Sequence, residues 1–133
     1  TLDQDTIALN GHAIELRINA EDPANGFRPD PGEITAFEPP VVPGKSARVR
    51  WDSAIRAGYR IPPHYDSMIG KLIVHGPDRP SAIDTARSAL DTMRIEGVAT
   101  TVDLHRRILD DPDFAAGDYD VTFLAIRSLV KSS

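Results

Sequence analysis

The chain has 133 residues, room for one compact domain with a hydrophobic core and too few for two ordinary ones. Hydrophobic residues make up 41% and charged residues 26%, the proportions of a globular protein, and a net charge of −5 argues against nucleic acid or anionic membranes as partners. With no cysteine, disulfides and thiolate metal sites are excluded and a cytoplasmic setting is expected, while no apolar run approaches the ~18 residues of a membrane span.

In chain order, "TLDQDTIALN" opens without a helix cap or a start methionine and reads as a cut through a longer polypeptide. "HAIELRIN" then alternates cleanly: Ile14, Leu16 and Ile18 share one face of a strand, and Glu15, Arg17 and Asn19 share the other. "EITAF" at 33–37 and "SARVRW" at 46–51 read as further strands, separated by the turn-forming "PDPG" and "EPPVVPG". Ala57-Gly58 suits a tight turn between "DSAIR" and "YRI". "SMIGKLIVH" at 67–75 is apolar on both faces apart from Lys71, which predicts a central strand; Gly70 inside it predicts a bulge or a close backbone approach.

After "HGPDRP" the period changes from two to 3.6. Ile83, Ala86, Leu90 and Met93 mark one face of a helix entered through Asp78-Arg79-Pro80 and stopped at Gly97. A second helix spans about Thr101 to Leu109, with Val102, His105, Ile108 and Leu109 near one stripe, and Pro112 ends it. The acidic stretch 110–120 reads as capping and punctuation. A last helix from about Thr122 to Val130 turns Phe123, Ile126 and Val130 inward. Strands first and about three helices after predict an α+β fold, a mostly antiparallel sheet with helices packed on it.

Three polar groupings could carry chemistry. Glu15, Arg17 and Asn19, followed by Glu21-Asp22, line one sheet face, which is either a solvated surface or a site. Tyr65-Asp66-Ser67 follows Pro62-Pro63 and either bonds nearby amides in an Asx-type turn or uses Asp66 to orient a cation, with Arg17 the obvious one if the two strands are neighbours. Lys45, Arg48, Arg50, Arg56 and Arg60 form a basic run broken only by Asp52, read as a solvated face, a protein interface or a phosphate site. His12, His64, His75 and His105 follow no metal-ligand spacing, so no metal site is expected. There is no phosphate-binding glycine loop and no nucleophile motif.

Taken together, "GHAIELRINAEDP", "PGEIT", "VRWDS", "AGYRIPPHYDSMIGKLI" and "DR" followed by "TVDL" resemble, in that order, the C-terminal domain of biotin carboxylase over residues 6–127. The "RIPPHYDSMIGKLI" segment leans towards the acetyl-CoA carboxylase type and hence towards fatty acid biosynthesis. The resemblance implies a single domain over 1–133 from a ligase that uses MgATP and bicarbonate to make carboxyphosphate and carboxylates N1 of carrier-bound biotin. ATP, Mg²⁺ and bicarbonate would be held by an upstream ATP-grasp region that nothing here matches. The partners it implies are that region, a biotin carboxyl carrier and a second copy in a homodimer. Alone, the domain would be inactive.

Residue by residue, the resemblance carries over Arg17 as the catalytic arginine that faces the biotin ureido ring. It aligns Asp66 with the aspartate at the same strand entry, and from this Asp66 is inferred to orient Arg17. Dimer contacts would involve Arg48, Arg50 and Trp51, although the aromatic residue expected three positions before Arg50 is Ala47. A "T-N" pair before "V-D-L" is Thr100-Thr101 here, which keeps a helix N-cap and loses an amide. The alternative to an enzyme component is a free-standing, non-catalytic module of the same fold that contacts a biotin carrier or a partner subunit.

Overall fold

The structure is a computed structural model that describes residues 3–42 and 48–127. Lys45, Ser46, Ala47 and Val130, which figured in the expectations above, lie outside the described residues.

Alternation dictates the main sheet. Strand β1 (His12–Asn19) buries Ile14, Leu16 and Ile18 and turns Glu15 and Arg17 to solvent. Further along, β2 (Glu21–Asp22) and β3 (Arg28–Pro29) form a small antiparallel pair, and β4 (Ala36–Glu38) and β5 (Arg48–Asp52) follow. The long apolar strand is β6 (Met68–Gly76), and it is central: the sheet order is β1-β6-β5, antiparallel throughout.

Both expectations for Gly70 hold. Ile18 pairs with Gly70 but Asn19 pairs with Met68, so Ile69 is the extra residue of a bulge in β6. A Cβ at position 70 would also collide with the Trp51 indole, which lies across that point of the strand. Trp51 contacts Phe37 as well, their ring centroids 6.2 Å apart, so its ring belongs to the core side of the sheet.

Helix α1 (Arg79–Thr92) packs on the same side. Asp78 caps it through an Oδ1 that accepts from Ser81 N at 2.8 Å, and Pro80 sits in the first turn, where its missing N–H costs nothing. Ala82, Ala86 and Ala89 have no exposed surface, so small side chains let the helix approach Leu72, Val74 and the β1 isoleucines closely. Ile83, Leu90 and Met93 are buried as the period predicted.

The helix does not run to Gly97. It stops at Thr92, Met93 turns extended, and Arg94–Glu96 forms strand β7, paired antiparallel with β4. Ile95 sits opposite Phe37 in that ladder, a cross-strand pair of strand-favouring side chains. Gly97 has φ +100°, and a Cβ there would strike the Glu33 carbonyl, so the glycine ends a strand and not a helix. "EITAF" shrinks correspondingly, with Glu33 making an isolated bridge to Arg60. The Ala57-Gly58 turn is present, with Gly58 at φ +81°, but neither flank forms a strand of its own beyond that bridge.

Helix α2 (Val102–Asp110) occupies the predicted segment and buries Val102, Leu104 and Leu109. The acidic stretch caps as expected: Asp111 Oδ1 accepts from Asp113 N and Phe114 N and so starts a short α3 (Pro112–Ala116), which was not anticipated. Asp120 Oδ1 likewise accepts from Thr122 N at 2.8 Å. The last helix is α4 (Phe123–Ile126), and Ile126 is exposed, contrary to the inward face expected of it. Among the described residues four α-helices therefore accompany the sheets, in an α+β arrangement with the strands concentrated before residue 77.

Candidate functional site

Because β1 and β6 are neighbours, their polar sets meet. Arg17 lies opposite Lys71 in the ladder, and Glu15 Oε2 sits 3.8 Å from Lys71 Nζ. The two cations facing each other across the strands would repel; Glu15 on one side and Asp66 on the other offset this.

Asp66 reaches Arg17 by way of the bulge. The extra residue at Ile69 turns the start of β6 back over β1, and Ala20 N donates to Ser67 O at 2.8 Å to hold it there. Asp66 Oδ2 then lies 3.9 Å from Arg17 Nη2, while its Oδ1 accepts from Met68 N at 3.0 Å. One carboxylate oxygen makes the turn bond and the other makes the contact with Arg17. At 3.9 Å the contact with Arg17 is an ion pair outside hydrogen-bond range, so it leaves guanidinium N–H groups to meet another acceptor. The side chains are 59% and 69% exposed, so the pair contributes little to stability, about 0–1 kcal/mol.

Beside this pair is a tighter link. Glu21 Oε1 accepts from Asn19 Nδ2 at 3.1 Å and from the Ser67 hydroxyl, fastening the end of β1 to the residue after Asp66. Asn19 Oδ1 is buried without a partner. The sequence signal for Glu21 and Ser67 was their place in the two polar groupings; which atoms meet was not readable before the strands were paired.

On the far side of β1 a contribution appears that composition did not reveal. Thr101 occupies the N-cap position of α2, yet its hydroxyl makes no cap bond to the helix. It accepts from Asn19 N at 3.0 Å and donates to the Arg17 carbonyl at 3.3 Å, while His105 Nε2 lies 2.9 Å from the same carbonyl. A carbonyl only accepts, so His105 carries its proton on Nε2. Burial pushes the His105 pKa below its ordinary value, and the bond to Arg17 O offsets part of that.

The proposed interface residues do not share a surface. Arg48 and Arg50 project from the outer face of β5, where Arg50 Nε bonds Asp52 Oδ1 at 3.0 Å, while Trp51, one residue on, points inward onto Gly70. Arg60 Nη2 meets Glu33 Oε2 at 3.2 Å. A cleft of about 440 Å³ opens beside Asp66, lined by Ile55, Tyr59, Ile61, Tyr65, Ile69 and Lys71 among others. Among the described residues no group of three or more histidines and carboxylates is placed to hold a metal ion, and no helix is long and apolar enough to cross a membrane.

An α+β domain with an arginine and an aspartate converging on the outer face of its sheet narrows the class, and comparison with known proteins completes the assignment. Residues 15–126 match the family model of the biotin carboxylase C-terminal domain, and the chain belongs to that family. It is 50% identical over 123 residues to a biotin carboxylase of Nostoc, covering 92% of this chain and 27% of that protein. Among solved structures it resembles the biotin carboxylase domain dimer of Hydrogenobacter thermophilus 2-oxoglutarate carboxylase, in complex with MgADP, ADP and bicarbonate. There the TM-score is 0.86 and the identity 44%, covering 94% of this chain and 27% of that one. A complete multifunctional pyruvate carboxylase from Rhizobium etli aligns at TM-score 0.89 and 32% identity, covering 98% of this chain and 13% of that chain. The chain thus spans about a quarter of the length of the curated biotin carboxylases it matches.

Proposed function

We propose that this domain forms the biotin-facing side of a biotin carboxylase active site, with Arg17 as the group that meets the ureido oxygen. The observation that carries the reading is the state of Arg17: on the solvent face of β1, steered by Asp66 at 3.9 Å, with donors left over. Removing a proton from a ureido nitrogen moves negative charge onto the ureido oxygen. A guanidinium already in place stabilises that charge without reorganising, an effect commonly worth ~3 kcal/mol, roughly a hundredfold in rate. Lysine lacks the planar fork and would replace Arg17 poorly. Asp66 sets the plane of the guanidinium from the side, while its other oxygen keeps the strand entry folded.

ATP, Mg²⁺ and bicarbonate are assigned to an ATP-grasp region of the same polypeptide outside this chain, and biotin arrives on a carrier domain or protein. The domain is a component of an ATP-dependent carbon–nitrogen ligase and inactive by itself. Homodimer contacts, in keeping with the dimeric 2-oxoglutarate carboxylase neighbour, would use Arg48 and Arg50 on the outer face of β5, with Trp51, half-buried against Gly70, contributing from the opposite face.

The test is Arg17→Ala in the intact polypeptide that carries this domain. Biotin carboxylation is expected to fall about a hundredfold, with bicarbonate-dependent ATP cleavage in the absence of biotin and the melting temperature nearly unchanged. Undiminished biotin carboxylation in the variant would overturn the role given to Arg17.

A further inference from the structure

The sheet order makes β1 an edge strand, with β6 on one side only. Its other edge presents backbone groups that need partners. At Arg17 and Asn19 those partners come from one turn of α2. Thr101 N donates to Asn19 O at 3.1 Å, the Thr101 hydroxyl accepts from Asn19 N and donates to Arg17 O, and His105 Nε2 donates to Arg17 O. Two side chains one helical turn apart thus close on a single carbonyl, that of the residue whose side chain forms the candidate site on the other face.

The pattern runs against what each residue does elsewhere. An N-cap threonine normally accepts from the second or third amide of its own helix; Thr101 has no such bond and is buried. His105 is half-buried, with its N–H on a strand carbonyl and not on solvent. Both residues have given up a common alternative to fix the backbone at Arg17.

The lever is long. A tilt of roughly 10° at a Cα carries a guanidinium about 6 Å away through about 1 Å, a misplacement that costs a site up to about a hundredfold. Asp66, at 3.9 Å and well exposed, is too loose to hold the arginine against such a tilt by itself.

We propose that His105, with Thr101, is a positioning residue for Arg17: the pair clamps the Arg17 carbonyl at the open edge of β1 and so sets where the guanidinium stands for biotin. The inference rests on the reading of Arg17 given above. It assigns the first turns of α2 to the biotin half of the reaction, although their side chains bond the backbone edge of β1 and not the Arg17 guanidinium.

The experiment uses the intact polypeptide, free biotin as the substrate, and four variants beside the wild type. His105→Leu fills similar space without a donor, and His105→Gln keeps an N–H near the position of Nε2. Thr101→Val deletes only the hydroxyl and keeps the test alive should His105→Leu not fold. Arg17→Ala is the control. His105→Leu is expected to lower kcat/KM for biotin about tenfold, largely through KM, and Thr101→Val several-fold. Bicarbonate-dependent ATP cleavage without biotin should stay at the wild-type rate, and His105→Gln should come within about twofold of wild type in both assays.

Equal losses in the two assays would show general damage and overturn the proposal, as would a folded His105→Leu variant with normal biotin kinetics. A Gln variant as impaired as Leu would overturn it too, because the donor would then not matter. If Arg17→Ala itself leaves biotin carboxylation intact, the fault lies in the parent reading. If Arg17→Ala fails and the His105 and Thr101 variants do not, only the clamp is wrong.

Discussion

Two arginine-bearing regions of this molecule use the same side chain in opposite ways. At the α1–α2 contact, Arg87 Nη2 donates to Leu109 O at 2.6 Å and its Nε lies 2.9 Å from Asp110, so α1 supplies a cation to the last turn of α2. Arg106 does the reverse: its Nη2 donates to Leu90 O at 2.5 Å near the end of α1, while Nη1 bonds Asp103 at 2.6 Å. Each helix closes the other's carbonyl end, where orphan acceptors and the negative end of the dipole favour a cation. On the outer sheet face Arg17 has an aspartate at 3.9 Å and an exposed side chain. Arg87 and Arg106 place their terminal NH₂ groups on carbonyls and carboxylates and leave only Nε, buried, without a hydrogen bond; Arg17 meets its aspartate as an exposed ion pair and keeps its terminal donors for a substrate.

That contrast can be broken from either side. The largest stability effect belongs to the helical pair. Arg87→Ala or Arg106→Ala strips a charged donor from a part-buried carbonyl and is expected to cost about 1–3 kcal/mol, read as a lower denaturant midpoint with little change in slope. The double variant should lose less than the sum, since both act on one helix contact. If either single variant melted like wild type, the division between structural and functional arginines would lose its first half.

Asp66→Asn probes the other half with a smaller effect. The substitution keeps an oxygen for Met68 N and removes the charge beside Arg17. Thermal stability should move by less than about 1 kcal/mol, because the pair is exposed, while biotin carboxylation in the intact polypeptide should fall several-fold to about tenfold as the guanidinium loses its guide. A drop in stability with unaltered biotin kinetics would return Asp66 to turn chemistry alone.

How much of this was readable beforehand depended on range. The alternation of β1 and the apolar run of β6, broken by Lys71, are short-range signals, and the buried faces came out as the period dictates. The Arg17–Asp66 encounter spans 49 positions and needs a bulge at Ile69 to aim it; the sequence offered only Gly70 as a hint of irregularity. Strand β7 has three residues, too few to show a period after fourteen helical ones, so the Met93 face ran on past its true end. Trp51 was grouped with Arg48 and Arg50 on the resemblance of their stretch to a dimer contact, yet period two already places residues 50 and 51 on opposite faces. Thr101 announced a helix start correctly, but a hydroxyl's choice between its own helix and a neighbouring strand is settled only by what packs there.

The smallest effect concerns pH and tests whether the clamp beneath Arg17 is dry. Burial disfavours the imidazolium of His105, so its pKa in the folded chain lies below the ordinary value of about 6.5. Above that value His105 is neutral in both states and contributes no pH dependence. As the pH falls below it, the unfolded chain takes up a proton first, so the unfolded state binds more protons and stability declines until the pH passes the folded pKa. The carboxylates held low by hydrogen bonds, Asp22, Asp78 and Asp120, lose their contribution only at more acidic values, below their ordinary 3.8. Denaturation of the wild type between pH 7 and 5 should therefore show a downward slope that His105→Gln flattens, with the two curves converging in shape above pH 7. Parallel slopes in the two proteins would mean that His105 binds its proton equally well in the folded and unfolded states, the bond to Arg17 O offsetting the effect of burial in full.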